Sequence, residues 1–282
     1  MRTKDCIPSN IKDYLKKYFY LILTYSLRKS AVERKFEALI DKLKKNVPDI
    51  RYQYSSFEVN NLYLETKVRN LHAFQISLLT DVIDEFKNPV IVDIGDSAGS
   101  HLQYIKGIYS EKKNIRSLSV NLDMEAVKRI KEKGFEAIQS RVEDLQNYNI
   151  NADVFLCFET LEHLMSPCSF LHELTENTNA KYLVITVPYL KKSRVGLHHI
   201  RRNDEEIVQA ENTHIFELSP GDWKLIIRHS GWDIVNEDIC LQYQKRSLYR
   251  FTKPLWRKYD FEGFYGMILK RDKTWSSRYL DW

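Results

Sequence analysis

Short apolar runs alternate with amphipathic segments from residue 90 to the end of the chain. Runs rich in β-branched residues predict strands at 90–94, 118–122, 135–138, 154–158, 182–187, 232–241 and 264–270. Apolar residues at helical spacing predict helices after the first strand, over 124–133, after Ser166-Pro167, after Ser219-Pro220 and near 246–258. This alternation is typical of an α/β protein with a parallel, doubly wound sheet, which we expect to occupy residues 85–282.

Residues 1–84 carry helical patterns instead, and we expect them to form a helical extension or a lid over a substrate cleft. The second helix is assigned from Ser30 and Glu33, which have the spacing of a capping box. The three helices predicted in this extension begin near Ser9, span 31–45 and span about 62–86.

The apolar run at residues 18–25 is too short to span a bilayer. Basic residues flank it on both sides, as in helices that lie on a membrane surface. Two interpretations are open for residues 11–29: they pack on the main domain, or they make peripheral contact with a membrane. No transmembrane segment is expected.

The composition is that of an ordinary globular protein, with 43% hydrophobic and 29% charged residues in a chain of 282. The net charge of +5 permits an anionic partner without requiring one. Four scattered cysteines without a CxxC pair, and no visible signal peptide, favour a reduced, cytoplasmic protein. The sequence does not predict an oligomeric state.

A glycine-containing turn, Asp93-Ile-Gly95-Asp-Ser-Ala-Gly99, follows the first predicted strand. A strand, a small-residue turn and a helix let the backbone approach a ligand closely, although packing alone also explains such a glycine. Asp123 follows at the end of the second strand, where a carboxylate can bind a ribose diol or simply cap the next helix. We therefore expect a nucleoside-containing cofactor, with NAD and S-adenosylmethionine both open.

An ordered set of motifs resembles those of class I S-adenosylmethionine-dependent methyltransferases. They are the glycine turn, Asn121-Leu-Asp123, Phe158-Glu-Thr-Leu-Glu-His-Leu164, Ile185-Thr-Val-Pro188 and Ser230-Gly-Trp-Asp-Ile-Val235. The resemblance covers roughly residues 85–272 and implies a Rossmann-like, seven-stranded sheet whose last strand is antiparallel. It implies the methionine moiety near Asp93, Gly95 and Gly99, and the ribose on Asp123. The full set of implied cofactor-binding residues is Asp93, Gly95, Asp96, Ser97, Gly99, Asp123, Met124, Val142, Glu143 and Phe158.

Two positions depart from the family pattern. Ser97 replaces the middle glycine of the turn, and Arg141 stands where the family usually places an acidic residue near the adenine. Because arginine cannot accept a hydrogen bond from an amino group, the Val142 backbone and Glu143 are the expected substitutes. The GxGxxG pattern of a dehydrogenase is absent, which favours S-adenosylmethionine over NAD.

Glu159, Glu162 and His163 follow the fourth strand at positions i, i+3 and i+4. If this segment is helical, the three side chains share one face at the end of the sheet where ligands bind. Carboxylates with an imidazole suit a divalent cation, with Mg²⁺ or Mn²⁺ favoured. With the later Thr213-His-Ile-Phe216, the pattern resembles the metal site of small-RNA 2′-O-methyltransferases, which implies Glu159, Glu162, His163 and His214 as ligands.

Three roles are open for His163: a metal ligand, a base or substrate contact without metal, and a structural hydrogen-bonding partner. In the expected mechanism a cation lowers the pKa of an acceptor hydroxyl and a side chain takes the proton. The candidate catalytic residues are His163, Glu159, His198 and His199, although the last two lie in a polar loop that could equally be only solvated.

The expected acceptor is a small molecule or a glycan. Residues 211–223 and 260–265 look similar to methyltransferases of bacterial surface-polysaccharide pathways. This likeness implies O-methylation of a sugar, a nucleotide-sugar, or a capsule or lipopolysaccharide precursor. The first alternative function is that of an RNA 2′-O-methyltransferase. The sequence contains no recognisable RNA-binding module, so nucleic acid is not an expected partner. A non-catalytic, cofactor-binding or membrane-docked assembly protein is the other rival.

Overall fold

The computed structural model describes residues 9–54, 57–141, 144–145, 150–196 and 213–279. Within these residues, the main sheet contains β1 (Val90–Ile94), β2 (Arg116–Asn121), β3 (Glu136–Gln139), β4 (Val154–Phe158), β5 (Tyr182–Pro188), β8 (Trp232–Leu241) and β9 (Gly263–Arg271). Its strand order is β3-β2-β1-β4-β5-β9-β8. A separate antiparallel ribbon pairs β6 (Arg194–Val195) with β7 (Phe216–Glu217).

The first five strands pair in parallel, whereas β9 runs antiparallel between β5 and β8. The predicted α/β sheet with an antiparallel last strand is therefore confirmed. The strand order reverses between β1 and β4. In doubly wound sheets, ligands bind in the crevice outside the carboxyl ends of the strands at such a reversal, so the fold itself points to this edge.

Helices surround the sheet. They are α1 (Ser9–Glu33), α2 (Glu37–Asn46), α3 (Leu62–Ile83), α4 (Ser100–Tyr109), α5 (Met124–Glu132), α6 (Pro167–Asn177), α7 (Pro220–His229) and α8 (Lys253–Tyr259). Short 3₁₀ helices occupy Leu161–His163, Leu248–Thr252 and Ser276–Arg278. In the part of the chain that the structure describes, no helix is both long and apolar enough to cross a bilayer.

The sheet is buried on both faces. Ile91 of β1 belongs to a core cluster with Phe74 of α3, whereas its neighbour Val92 belongs to a second cluster with Trp223 of α7. Because successive side chains of a strand point to opposite faces, burial on both sides explains the continuous apolar run in β1.

One helix boundary in the N-terminal extension differs from the prediction. α1 continues through Ser30, whose hydroxyl donates to the carbonyl of Leu241 instead of capping a helix. The chain breaks only after Glu33, where Lys35 adopts a φ of 59°, and α2 then begins at Glu37. The predicted capping box is wrong because a distant backbone acceptor, which the local pattern cannot show, takes the serine hydroxyl.

Two further boundaries near the C-terminal half also differ. The helix predicted near 246–258 is a 3₁₀ helix followed by α8, because Pro254 lies in the first turn of α8 and lacks the N–H that a continuous helix needs. β5 extends one residue beyond the predicted 182–187 and ends at Pro188, which pairs with Phe264. A proline is tolerated at a strand end.

Candidate active site

A cleft of about 630 Å³ opens at the carboxyl ends of β1, β2 and β4. Its lining comes from the glycine turn, the end of β2, the segment after β4, helix α3, and the loops before β7 and β9. The cleft therefore lies at the strand-order reversal, with the N-terminal extension contributing part of its wall.

The glycine turn after β1 requires glycine at two positions. Gly95 has a φ of +93°, a conformation that side chains disfavour, and a Cβ there would lie 2.6 Å from Thr160 Oγ1. Gly99 has a φ of 71° and is the N-cap of α4. Ser97, between the two glycines, lines the cleft. The turn thus presents bare backbone to the cleft, as close approach to a ligand requires.

A buried network of hydrogen bonds links this turn to α4 and α3. His101 Nδ1 lies 3.1 Å from Asp93 Oδ2, and His101 Nε2 lies 3.0 Å from Gln75 Oε1 on α3. The Asp96 carboxylate accepts the backbone N–H of His101 at 2.9 Å. Burial raises the pKa of Asp93 to about 6. Burial also lowers the pKa of His101, but the carboxylates of Asp96 and Asp93 outweigh it and leave that pKa raised.

The end of β2 presents Asn121, and not Asp123, to the cleft. Asp123 is the N-cap of α5, and its carboxylate accepts the backbone N–H of Glu125 at 3.0 Å. Asp123 is not among the described residues that line the cleft. Asn121, the last residue of β2, does line it and accepts the backbone N–H of Asp123 at 2.9 Å.

The segment after β4 is not the α-helix that would place three functional side chains on one face. Glu159 adopts a φ of 49°, and only Leu161–His163 forms a single 3₁₀ turn. The backbone N–H of Glu159 donates to the carbonyl of Thr186 at 2.8 Å, which ties the turn to β5. A non-glycine residue in this conformation is strained, and such strain clusters at functional sites.

Both carboxyl groups of this segment have buried oxygens without a hydrogen-bond partner, although Glu159 as a whole is only half-buried. These oxygens are Glu159 Oε1 and both oxygens of Glu162. Burial raises the pKa of Glu159 to about 8. Burial, reinforced by the Glu159 carboxylate, also raises the pKa of Glu162 well above its ordinary value. Because a buried carboxyl without partners costs stability, a cation here would satisfy groups that the chain leaves unsatisfied.

Three of the predicted ligands form a compact donor set. The ligand atoms of Glu162, His163 and His214 all lie within 4.8 Å of one another, and Glu159 does not belong to this group. His163 Nδ1 lies 3.0 Å from the carbonyl of Thr213, so Nδ1 carries the proton and donates it to this bond. His163 Nε2 lies 3.9 Å from Glu162 Oε1. This arrangement fits a divalent cation.

The remaining predicted residues lie in different places. Asp96 and Phe158 line the cleft with Gly95 and Ser97, whereas Asp93 and Gly99 are not among its described lining residues and Met124 is exposed on α5. Arg141 also lines the cleft. The predicted residues Val142, Glu143, His198 and His199 lie outside the described residues.

The N-terminal extension contributes side chains to the cleft that the sequence analysis did not single out. Lys67 and Gln75 of α3 line the cleft, and Lys67 forms an ion pair with Asp260 across it. Tyr54 and Phe57, just before α3, also line it, with ring centroids 4.7 Å apart. No local pattern distinguishes these side chains from ordinary helix and loop residues, because only packing on the sheet brings them to the site.

No protein-family model matches this sequence, and no curated protein matches it. Solved structures match in fold. A candidate sarcosine dimethylglycine methyltransferase from Galdieria sulphuraria has a TM-score of 0.55 at 11% identity, over 75% of this chain and 88% of that chain. The 4+2 cyclase SpnF has a TM-score of 0.53 at 10% identity, over 86% of this chain and 97% of that chain. A candidate S-adenosylmethionine-dependent methyltransferase from Listeria monocytogenes has a TM-score of 0.50 at 13% identity, over 71% of this chain and 98% of that chain. The chain therefore has the fold of class I S-adenosylmethionine-dependent methyltransferases.

Proposed function

We propose that this protein is an S-adenosylmethionine-dependent O-methyltransferase assisted by Mg²⁺ or Mn²⁺. Its acceptor is a hydroxyl or phosphate-type oxygen of a sugar, a nucleotide-sugar, or a capsule or lipopolysaccharide precursor. The proposal depends on one observation: the donor set Glu162, His163 and His214 shares a cleft with the glycine turn. The fold alone does not select a reaction, since a cyclase shares it.

The cofactor side of the cleft fits S-adenosylmethionine, which supplies a methyl group on a sulfonium when bound. The backbone at Gly95 would approach its methionine part, and the Asn121 amide would meet its ribose. Arg141 offers only donors, so it would hydrogen-bond ring nitrogens of the adenine and not its amino group. Close positioning of the methyl donor and acceptor supplies much of the rate in such transfers.

The acceptor side of the cleft fits a metal-assisted deprotonation. Glu162, His163 and His214 would hold the cation, which when bound lowers the pKa of an acceptor hydroxyl. Glu159 is the carboxylate base nearest in sequence to these ligands; it is half-buried, its Oε1 is unpaired, and burial raises its pKa to about 8. A base whose pKa lies near the working pH is effective in general base catalysis, so Glu159 would take the hydroxyl proton.

The cleft wall supports a ring-shaped acceptor. Tyr54, Phe57 and Phe261 all contribute aromatic side chains to the lining. His214 stacks on Phe261 with ring centroids 5.4 Å apart, which places an aromatic face beside a proposed metal ligand. Aromatic walls with a few convergent polar groups are typical of small-molecule sites. A sugar or nucleotide-sugar offers both an apolar ring face and hydroxyl groups.

Mn²⁺ titration by calorimetry tests the metal site directly. We expect one saturable site in the unmodified protein, and an affinity about 100-fold weaker or more in Glu162→Gln and in His214→Asn, since each loses a ligand. S-adenosylhomocysteine affinity should stay within about twofold of the parent value, because neither residue belongs to the cofactor side. His229→Asn, which replaces an exposed histidine of α7, is the matched control and should bind both ligands normally.

Turnover measured with a panel of nucleotide-sugars and phosphosugars gives the functional result. Metal-dependent methyl transfer should disappear in Glu162→Gln and His214→Asn and persist in His229→Asn. Equal turnover in all of these proteins would remove the metal from the mechanism. Binding of S-adenosylhomocysteine without transfer to any acceptor would favour the non-catalytic cofactor-binding protein.

A further inference from the structure

α1 is apolar on two opposite sides, and one of them faces away from the protein. Tyr14, Tyr18, Leu21 and Tyr25 recur at helical spacing, and each is more than half exposed. On the other side, Leu27 is buried in a cluster with Trp256. Within the described residues, no other element covers the exposed stripe of four side chains.

A second exposed apolar feature lies on an element that packs against α1. Leu248 and Phe251 of the 3₁₀ helix Leu248–Thr252 are each 80% exposed. The same 3₁₀ helix is held to α1 through Thr252, whose Oγ1 lies 3.1 Å from Ser26 Oγ. Large apolar side chains this exposed are costly in water unless a surface covers them.

The surroundings of these side chains are strongly basic. Residues 244–257 contain no acidic residue, and Lys17, Arg28 and Lys29 are exposed on α1. In the described part of the chain, Lys253 and Arg257 pair with Glu262, but no ion pair involves the other basic residues of 244–257. The basic residues of this segment are Lys245, Arg246, Arg250, Lys253 and Arg257.

We infer that the exposed apolar side chains of α1 and of the 3₁₀ helix together form one docking face, and that this docking face binds an anionic lipid surface. The docking face consists of Tyr14, Tyr18, Leu21, Tyr25, Leu248 and Phe251. Exposed leucine and phenylalanine insert at the boundary between headgroups and acyl chains, and tyrosine suits the headgroup level. Basic residues around them attract anionic headgroups. A second copy of the chain is the weaker choice of occupant, because a twofold interface would bring like charges of the two copies together.

Vesicle sedimentation of the full-length protein tests this inference without any use of methyl transfer. The protein should bind vesicles of phosphatidylcholine mixed with phosphatidylglycerol, should bind phosphatidylcholine vesicles weakly, and should dissociate as salt rises. Arg246→Gln/Arg250→Gln should lower the partition coefficient about 30-fold, since each basic residue near such a surface contributes about 1 kcal/mol. Leu248→Ser/Phe251→Ser should lower it about tenfold or more.

Matched double variants elsewhere on the surface distinguish binding through the docking face from nonspecific adsorption to vesicles. Leu225→Ser/Val235→Ser replaces apolar residues of α7 and β8 that are more than half exposed, and Lys44→Gln/Lys45→Gln replaces exposed lysines of α2. Both controls should bind vesicles as the parent does. The inference would be overturned if the parent protein did not bind anionic vesicles, or if the docking-face variants bound them as tightly as the parent does. A dimer in sedimentation velocity that Leu248→Ser/Phe251→Ser dissociates, without vesicle binding, would assign the face to a second copy.

Discussion

At the scale of single residues, the glycine turn is locked against the segment that carries the proposed metal ligands. Thr160 lies where a side chain on Gly95 would point. Its hydroxyl lies 3.2 Å from the carbonyl of Ile94 and 3.0 Å from that of Phe158, so it is held between β1 and β4. The close approach of Gly95 and Thr160 therefore sets the spacing between the cofactor side and the acceptor side of the cleft.

Gly95→Ala should destabilise the protein more than an equivalent change in open space. It combines a strained positive φ with a clash against the fixed Thr160, a cost of about 2–4 kcal/mol. Gly134→Ala is the matched control, because Gly134 has a φ of +80° but no atom within 4 Å of its Cβ position. Backbone strain alone should cost it about 1 kcal/mol. Urea unfolding of both variants measures the difference, and equal losses would contradict the packing role of Thr160.

At the scale of secondary structure elements, α3 connects the N-terminal extension to the site. Arg69 of α3 is fully buried and donates to the carbonyls of Val47, at 2.7 Å, and Pro48, at 2.9 Å. Further along the helix, Gln75 donates to Thr186 Oγ1 at 3.1 Å and contacts His101, the partner of Asp93 in the glycine turn. The same helix therefore fixes the loop after α2 and supports the cofactor side of the cleft.

Arg69→Met should cost about 2–4 kcal/mol of unfolding free energy, because it leaves two backbone carbonyls without their charged donor. Arg116→Met, at a largely exposed ion pair with Glu136, is the control and should cost less than about 0.5 kcal/mol. Denaturant midpoints measure both. If the two variants lose the same stability, α3 does not depend on its buried arginine.

At the scale of the whole molecule, local patterns predicted the sheet well. β1, β4 and β5 are nearly continuous apolar runs, and burial on both faces makes such runs visible without any tertiary information. The glycine turn was equally visible, because only glycine fits the conformations at Gly95 and Gly99. The proposed ligands Glu162 and His163 are neighbours in the chain, so their proximity needed no knowledge of the fold.

The parts that sequence did not predict depend on contacts between distant segments. Asn121 and Asp123 are both polar and two residues apart, and only the end of the β2 ladder shows which one faces the cleft. The positive φ of Glu159 follows from its hydrogen bond to β5, and Gln75 reaches His101 only because α3 packs on the sheet. Periodicity describes one element at a time, so it cannot report such pairings.

Calorimetric titration of the 282-residue protein with S-adenosylhomocysteine tests whether the cleft binds a methyl-donor cofactor. We expect one saturable site per chain, with binding that does not require Mn²⁺, because the metal donor set includes neither the glycine turn nor Asn121. Failure to bind S-adenosylhomocysteine, with or without Mn²⁺, would contradict the assignment of the cleft to a methyl-donor cofactor. The protein would then have the fold of a methyltransferase but a function other than methyl transfer.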